Sequence, residues 1–179
     1  MLAACLLGDL AAAALGYATG GADGGAIGAI AFALGVGIVA GLLLVVGVTV
    51  GRPAQTRIRP VTAGAIAVAG WTVIGVSVLD SGPPGWTYVA AASLVGVSLG
   101  TTAESPQSGL WHGLLTCGSG GVLTVYLSIY ESFTMRPELT GIVILGSFLV
   151  PLALGIAGGL GSAVGVLTHE AVERRRVSE

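Results

Sequence analysis

Charge is what this sequence has least of. Only 9% of its 179 residues are Asp, Glu, Lys or Arg, whereas a soluble domain carries about 25%. So few charged side chains cannot cover a water-facing surface, which excludes an ordinary soluble domain even though the length alone would suit one. Lysine is missing altogether, and all seven basic residues are Arg. Together with a pI of about 5.6, that bias points to a GC-rich genome and a halophilic source. Cysteine is nearly absent. Cys5 and Cys117 lie in apolar stretches; they form no metal-ligand spacing and need not pair, so they read as buried free thiols. Nothing resembles a phosphate-binding loop or a nucleic-acid-recognition pattern, and no cofactor is implied.

What the sequence has instead is hydrocarbon and glycine. Apolar residues make up 54% of the chain, and the mean hydropathy is +0.93. The 31 glycines follow no collagen-like triplet. Glycine costs about 1 kcal/mol relative to Ala inside a soluble helix. Membrane helices accept it because small residues let backbones approach closely, and that packing replaces the hydrophobic drive that lipid removes. The composition therefore predicts an all-α fold, a polytopic transmembrane bundle forming one domain, with the lipid bilayer as its main partner.

A crossing needs roughly 20 apolar residues to traverse about 30 Å of hydrocarbon. Six stretches meet or approach that length: Leu2–Ala18, Ala26–Val50, Val61–Leu79, Trp86–Ala103, Gly109–Tyr130 and Leu139–Thr168. Only the first carries a formal charge, Asp9. The connections are rich in turn residues, as in Gly20–Gly25, Gly51-Arg52-Pro53 through Pro60, Asp80–Gly85 and Glu104–Ser108, where Pro removes a donor and Gly frees the backbone. Short connections predict that sequence neighbours form antiparallel hairpins. The first stretch lacks the basic residues of a signal peptide, and the last reads as one tilted or kinked helix through Pro151.

Arginine placement sets the expected orientation. With both termini in the cytoplasm, Arg52, Arg57 and Arg59 and the tail residues Arg174, Arg175 and Arg176 (residues 169–179 forming a short basic tail) all lie inside, and Arg136 alone lies outside. The reverse orientation inverts that ratio, so the positive-inside rule selects the first.

Small residues recur four apart at Gly37/Gly41, Gly47/Gly51, Gly96/Gly100, Gly109/Gly113, Gly155/Gly159 and Gly161/Gly165. Each pair shares a helix face and offers a flat strip to a neighbouring helix. Packing within the chain is the expected use, and self-association into a homo-oligomer is the other. A shift of 84 residues aligns Leu15-Gly16 with Leu99-Gly100 and Gly25 with Gly109, the kind of correspondence an inverted repeat of three spans would leave.

The run from Leu15 to Ala29 places Gly-Tyr at the end of one helix. A Gly-Gly turn with an acid follows, and then Gly-Ala-x-x-Gly-Ala opens the next. In this it resembles small haloarchaeal multi-pass membrane proteins of unknown function. The resemblance covers about the first 50 residues and departs in the long, Pro-punctuated middle. It implies turns and packing, with no catalytic residue to carry over.

Among polar residues, Asp9 stands out. An acid within a span costs about 2.5–3.5 kcal/mol at the membrane centre, so such residues tend to mark ion or proton paths. His112, beside Trp111, reads as an interfacial anchor with a solvated ring, or as a relay partner if the first and fifth helices bring it to Asp9. That pair supports the alternative of a small proton- or ion-coupled transporter or channel. Cys117-Gly118-Ser119-Gly120-Gly121 invites a remote reading as an intramembrane hydrolase with His169 as base, but Ser119 belongs at mid-membrane and His169 at its surface. Trp86, Tyr88 and Tyr130 fit an outer aromatic belt, and Trp71, mid-span, needs a partner for its indole N–H. The expectation is a non-enzymatic membrane protein held together by small-residue packing.

Overall fold

The computed structural model describes residues 2–53, 56–79, 84–135 and 140–177; within these helices the side chains of 2–9, 11, 15, 16, 19, 20, 22, 75–79, 128–135, 140, 143 and 177 fall outside the description. Six helices form and, among the described residues, no strand. The first two run on as α1, Leu2–Thr49, broken at Gly21 (φ 66°, ψ −151°). The others are α2 (Ile58–Leu79), α3 (Gly85–Gly100), α4 (Pro106–Met135) and α5 (Thr140–Val177).

The break at Gly21 is a reversal of the chain. A Cβ placed on Gly25 would lie 3.3 Å from the Cβ of Tyr17 and 3.3 Å from the carbonyl of Ala13. In a continuous helix, residues eight apart are separated by about 12 Å along the axis. The two arms of α1 therefore fold back on each other. Gly21 makes this possible because its positive φ with extended ψ is open essentially to glycine alone. Of the glycine-rich turn read from sequence, this one residue makes the bend.

Helix limits differ from the apolar stretches where local capping outweighs hydropathy. α4 begins at Pro106, ahead of the expected Gly109, because Ser105 caps it: the N–H of Ser108 donates to Ser105 Oγ at 3.2 Å, and Pro at the first helical position loses no helical bond. α2 begins at Ile58 with Pro60 in its first turn, where a missing donor is harmless. α5 continues to Val177, so the expected basic tail is a helix end. Glu170 and Arg174 pair there at 3.0 Å one turn apart. Pro151 lies within α5, which is one helix.

α4 is the hub and touches α1, α2, α3 and α5; α1 and α2 both rest on it, and among the described residues their backbones do not approach each other closely. Glycine makes the tightest contacts. A Cβ on Gly96 or Gly100 of α3 would fall on the carbonyls of Gly158 and Ser162 of α5. One on Gly161 or Gly165 would strike Ser93 and Val97 of α3. A second α5 strip, Gly155 and Gly159, lies on Leu114 and Leu110 of α4, and Gly109 and Gly113 of α4 face Ser162 and Gly158. α5 thus carries two glycine strips, one for each neighbour. Gly37 and Gly41 depart from the packing expectation: both are exposed, with nothing within 4 Å of a Cβ. That face of α1 turns away from α4. Nor do the aligned halves behave alike, since Gly25 packs inside the α1 hairpin and Gly109 against α5.

The exterior is as apolar as the interior, where Val39, Leu43, Val68, Leu114 and Leu154 are buried. Leu94 (71% exposed), Ile30, Leu44, Ile142, Leu145 and Leu160 point outward, whereas Thr72, Thr116, Thr124, Ser147 and Ser162 are buried. Trp71 donates its indole N–H to Thr87 Oγ1 at 3.0 Å, joining α2 to α3. Among the described residues, two helices, Asp23–Thr49 and Ile144–Arg176, are long and apolar enough to cross a membrane; Ile58–Ile74 and Gly85–Gly100 are apolar but shorter.

Candidate functional site at the arginine-bearing end

Arg52, Arg57, Glu104, Ser105, Gln107 and Ser108 gather at one end of the bundle, where the α1–α2 connection, the α3–α4 turn and the start of α4 meet. Two local features build the end. Gly51, at φ 102°, closes α1: its N–H reaches the Val46 carbonyl at 3.1 Å, and a side chain there would press on Gln107. Beyond it the chain crosses to α2 carrying Arg52 and Arg57.

Arg57 is held by three contacts. Its guanidinium donates to the Thr102 carbonyl at 3.1 Å and to Glu104 Oε1 at 2.6 Å, and its backbone N–H donates to His112 Nε2 at 3.0 Å. Because Nε2 accepts, Nδ1 is the nitrogen that donates, to the Ser108 carbonyl at 2.7 Å. His112 is only 7% exposed. It is thus a buried clamp that ties the entry of α2 to α4, not the solvated anchor expected. Both ring nitrogens are occupied by backbone groups, which leaves the ring no free position for a relay. Asp9 lies on the first arm of α1, with its side chain outside the described residues.

Around this clamp opens a cleft of about 350 Å³ lined by Arg52, Pro53, Arg57, Glu104, Ser105, Gln107 and Ser108. Arg52 and Arg59 are exposed, and neither has an ion pair among the described residues. The Arg57–Glu104 pair is itself solvent-facing, so it contributes at most about 1 kcal/mol. Such a cleft can attract an anion. Ser108 Oγ lies 3.3 Å from His112 Nδ1, but with Nδ1 donating to the Ser108 carbonyl the ring is no base for that hydroxyl.

The C-terminal arginines belong to the same end. Gly109 of α4 lies against Val166 of α5, one turn from His112, and Arg174–Arg176 follow beyond Val166. His169 sits there too, 3.4 Å from Glu173. Ser119 is far from it. Gly113 faces Ser162; Ser119 is six residues one way along α4, and His169 seven residues the other way along α5. At 1.5 Å per residue the two are about 20 Å apart along the bundle. The hydrolase pair is not assembled. Cys117 is buried and free, with its thiol 3.4 Å from the Ala92 carbonyl, and no group of three or more His, Cys, Asp or Glu among the described residues could hold a metal ion.

A second opening runs along the side of the molecule. It is a groove of about 410 Å³ between α1 and α2, floored by Leu115, Ser119, Val122 and Leu123 of α4. Sequence reasoning named Ser119 but missed this groove, and missed Glu104 and Gln107 at the polar end. Their only sequence signal was a Ser-Pro helix start flanked by polar residues. Of the aromatic belt, Trp86 is 71% exposed as expected, whereas Tyr88 packs on the buried cluster of Val68, Ala92, Cys117 and Leu154. Tyr130 lies outside the described side chains.

Compared with known proteins, the chain matches no family model, no curated protein and no solved structure.

Proposed function

We propose that this chain is a multi-pass membrane protein whose role is binding within the bilayer, with no catalytic chemistry of its own. It crosses the bilayer six times and presents its arginine-bearing end to the cytoplasm. The observation that carries the reading is the apolar exterior: large aliphatic side chains cover the outside of a bundle whose core is also apolar and encloses several hydroxyls and His112. In water, such a surface would be a large apolar patch of the kind soluble monomers avoid; in lipid it is the favourable one. Two further observations support it. Glycine strips replace large side chains at the α3–α5 and α4–α5 contacts, as expected where packing rather than hydrophobic exclusion holds helices together. Both arginine clusters share one end, as an even number of crossings between them requires. α4, less apolar than α1, α2 and α3, touches all four other elements, so it need not be apolar on every side. α3, at 16 residues, spans about 24 Å, which fits a bilayer thinned locally around it.

The test is sidedness. In a chain freed of native cysteines, single cysteines at Thr56 and Arg175 should be labelled by a membrane-impermeant thiol reagent from the cytoplasmic side of inverted vesicles. A cysteine at Pro84 should be labelled only from the other. Recovery of the chain as a detergent-free aqueous monomer, or Thr56→Cys and Arg175→Cys labelling from opposite sides, refutes the reading.

A further inference from the structure

The walls of the lateral groove are consecutive helices whose described backbones do not approach each other closely, and the segment joining them carries the free arginines. On α1 the groove runs from Phe32 through Val36, Val39 and Ala40 to Leu43; on α2 it includes Val61, Ala65 and Ile66. Thr62 and Ser119 are its only polar lining residues. From Phe32 to Leu43 is eleven residues, about 16 Å along the helix, close to one leaflet's half of a hydrocarbon core of roughly 30 Å. The groove stops below the connection that bears Arg52, Arg57 and Arg59. Trp111 marks this end: it packs with Val39 and Leu43, and its ring and the Arg52 side chain both press on Gly47.

We propose that this groove seats one hydrocarbon chain of an anionic membrane lipid, drawn from the leaflet on the arginine side, with the lipid phosphate held over the α1–α2 connection by Arg52, Arg57 and Arg59. The inference rests on the membrane reading and deepens it. Three features select this occupant. The lining is almost wholly apolar, the length is that of one leaflet, and the connection above it carries three arginines of which only Arg57 has an ion pair among the described residues, with Glu104. A partner helix would use the first feature but has no use for the other two. Phosphate is the matching group for guanidinium, which binds its oxygens through paired N–H donors.

The test uses the full chain in phosphatidylcholine vesicles. Trp71→Phe and Trp86→Phe leave Trp111 as the sole emitter. Lipid brominated on the chain close to the glycerol is added as phosphatidylglycerol or as phosphatidylcholine at equal mole fraction. Trp111 should be quenched several-fold more effectively by the anionic lipid. Arg52→Gln and Arg59→Gln should each reduce that preference by up to about fivefold, the effect of one cation near an anionic headgroup. Ala40→Phe and Thr62→Phe, on opposite exposed walls, should fill the groove and lower quenching by both lipids. Equal quenching by the two lipids, a preference that survives removal of all three arginines, or quenching indifferent to both groove-filling variants overturns the proposal. So does a stable dimer that Ala40→Phe dissociates without changing lipid preference, since the groove would then belong to a second copy. If instead no lipid quenches Trp111 and the chain partitions into water, the membrane reading itself has failed.

Discussion

At His112 one buried ring joins two backbone groups from different helices, and its contribution can be sized. The Arg57 N–H stands at the entry of α2, where helices leave donors without internal partners, and His112 supplies an acceptor from 55 residues away. His112→Ala should leave that N–H unpaired in a partly buried setting and lower stability in detergent by about 1–3 kcal/mol. Thermal unfolding of the purified chain measures it, and an unchanged Tm would show that the clamp is incidental. His112→Asn, which keeps an acceptor, should recover part of the loss. The glycines allow a paired prediction. Gly100→Val forces a side chain onto the Ser162 carbonyl of α5 and should destabilise by about 1–3 kcal/mol. Gly41→Ala enters open space and should be neutral or slightly stabilising. If Gly41→Ala destabilises as much, that face of α1 is covered in the membrane. His112 was legible in the sequence by residue type and position near a helix start. Its partner was not, because a backbone N–H carries no side-chain signal and the contact is long-range. Likewise, spacing alone identified Gly37/Gly41 and Gly96/Gly100 as the same motif, and only the direction each face turns separates them.

Among the helices, the first hairpin gives the sharpest test. Tyr17 and Gly25 face each other across the reversal at Gly21, with 3.3 Å between the Cβ atoms once Gly25 is given one, slightly shorter than the roughly 3.5–4.5 Å usual for a disulfide and within reach of a small adjustment. Tyr17→Cys/Gly25→Cys, in a chain lacking Cys5 and Cys117, should therefore oxidise readily within one molecule. Adding Gly21→Val should suppress the crosslink, because valine is strained at φ 66° with extended ψ by an amount on the order of 1–3 kcal/mol. A crosslink indifferent to that substitution would place the bend elsewhere. The sequence located this turn through its glycines and acid, and the end of α1 through Gly51 and Pro53; of Asp80–Gly85, residues 80–83 lie outside the described residues. It misjudged helix starts wherever a proline was taken as loop. Pro60 and Pro106 both lie in first turns, where the residue that ends helices is tolerated. It also stopped α5 at Thr168, because hydropathy falls there while the helix, supported by i,i+4 pairs such as Glu170–Arg174, continues.

Taken whole, the molecule does not divide apolar from polar as a soluble fold does. Its interior packs aliphatic side chains together with glycines and hydroxyls, and its exterior is aliphatic too, so the surface as well as the core carries the hydrophobic signal that composition made legible. That signal fixed neither the arrangement of helices around α4 nor the gap between α1 and α2, since both depend on which glycine strip meets which. It does lead to a prediction that depends on depth. Leu94 in mid-α3 and Leu160 in mid-α5 are 71% and 58% exposed, and Ile58, at the arginine-bearing end, is 71% exposed. In water, lysine at any of the three would be nearly neutral, within about 0.5 kcal/mol, as surface substitutions usually are. In a bilayer, Leu94→Lys and Leu160→Lys put a charge near the hydrocarbon centre, at about 2.5–3.5 kcal/mol each on insertion scales. Ile58→Lys lets the ammonium reach the interface, where the penalty largely vanishes. Membrane-inserted yield, normalised to total synthesis, should therefore fall severalfold for the first two and stay near wild type for the third. Equal behaviour at all three positions would mean that the aliphatic exterior meets something other than lipid.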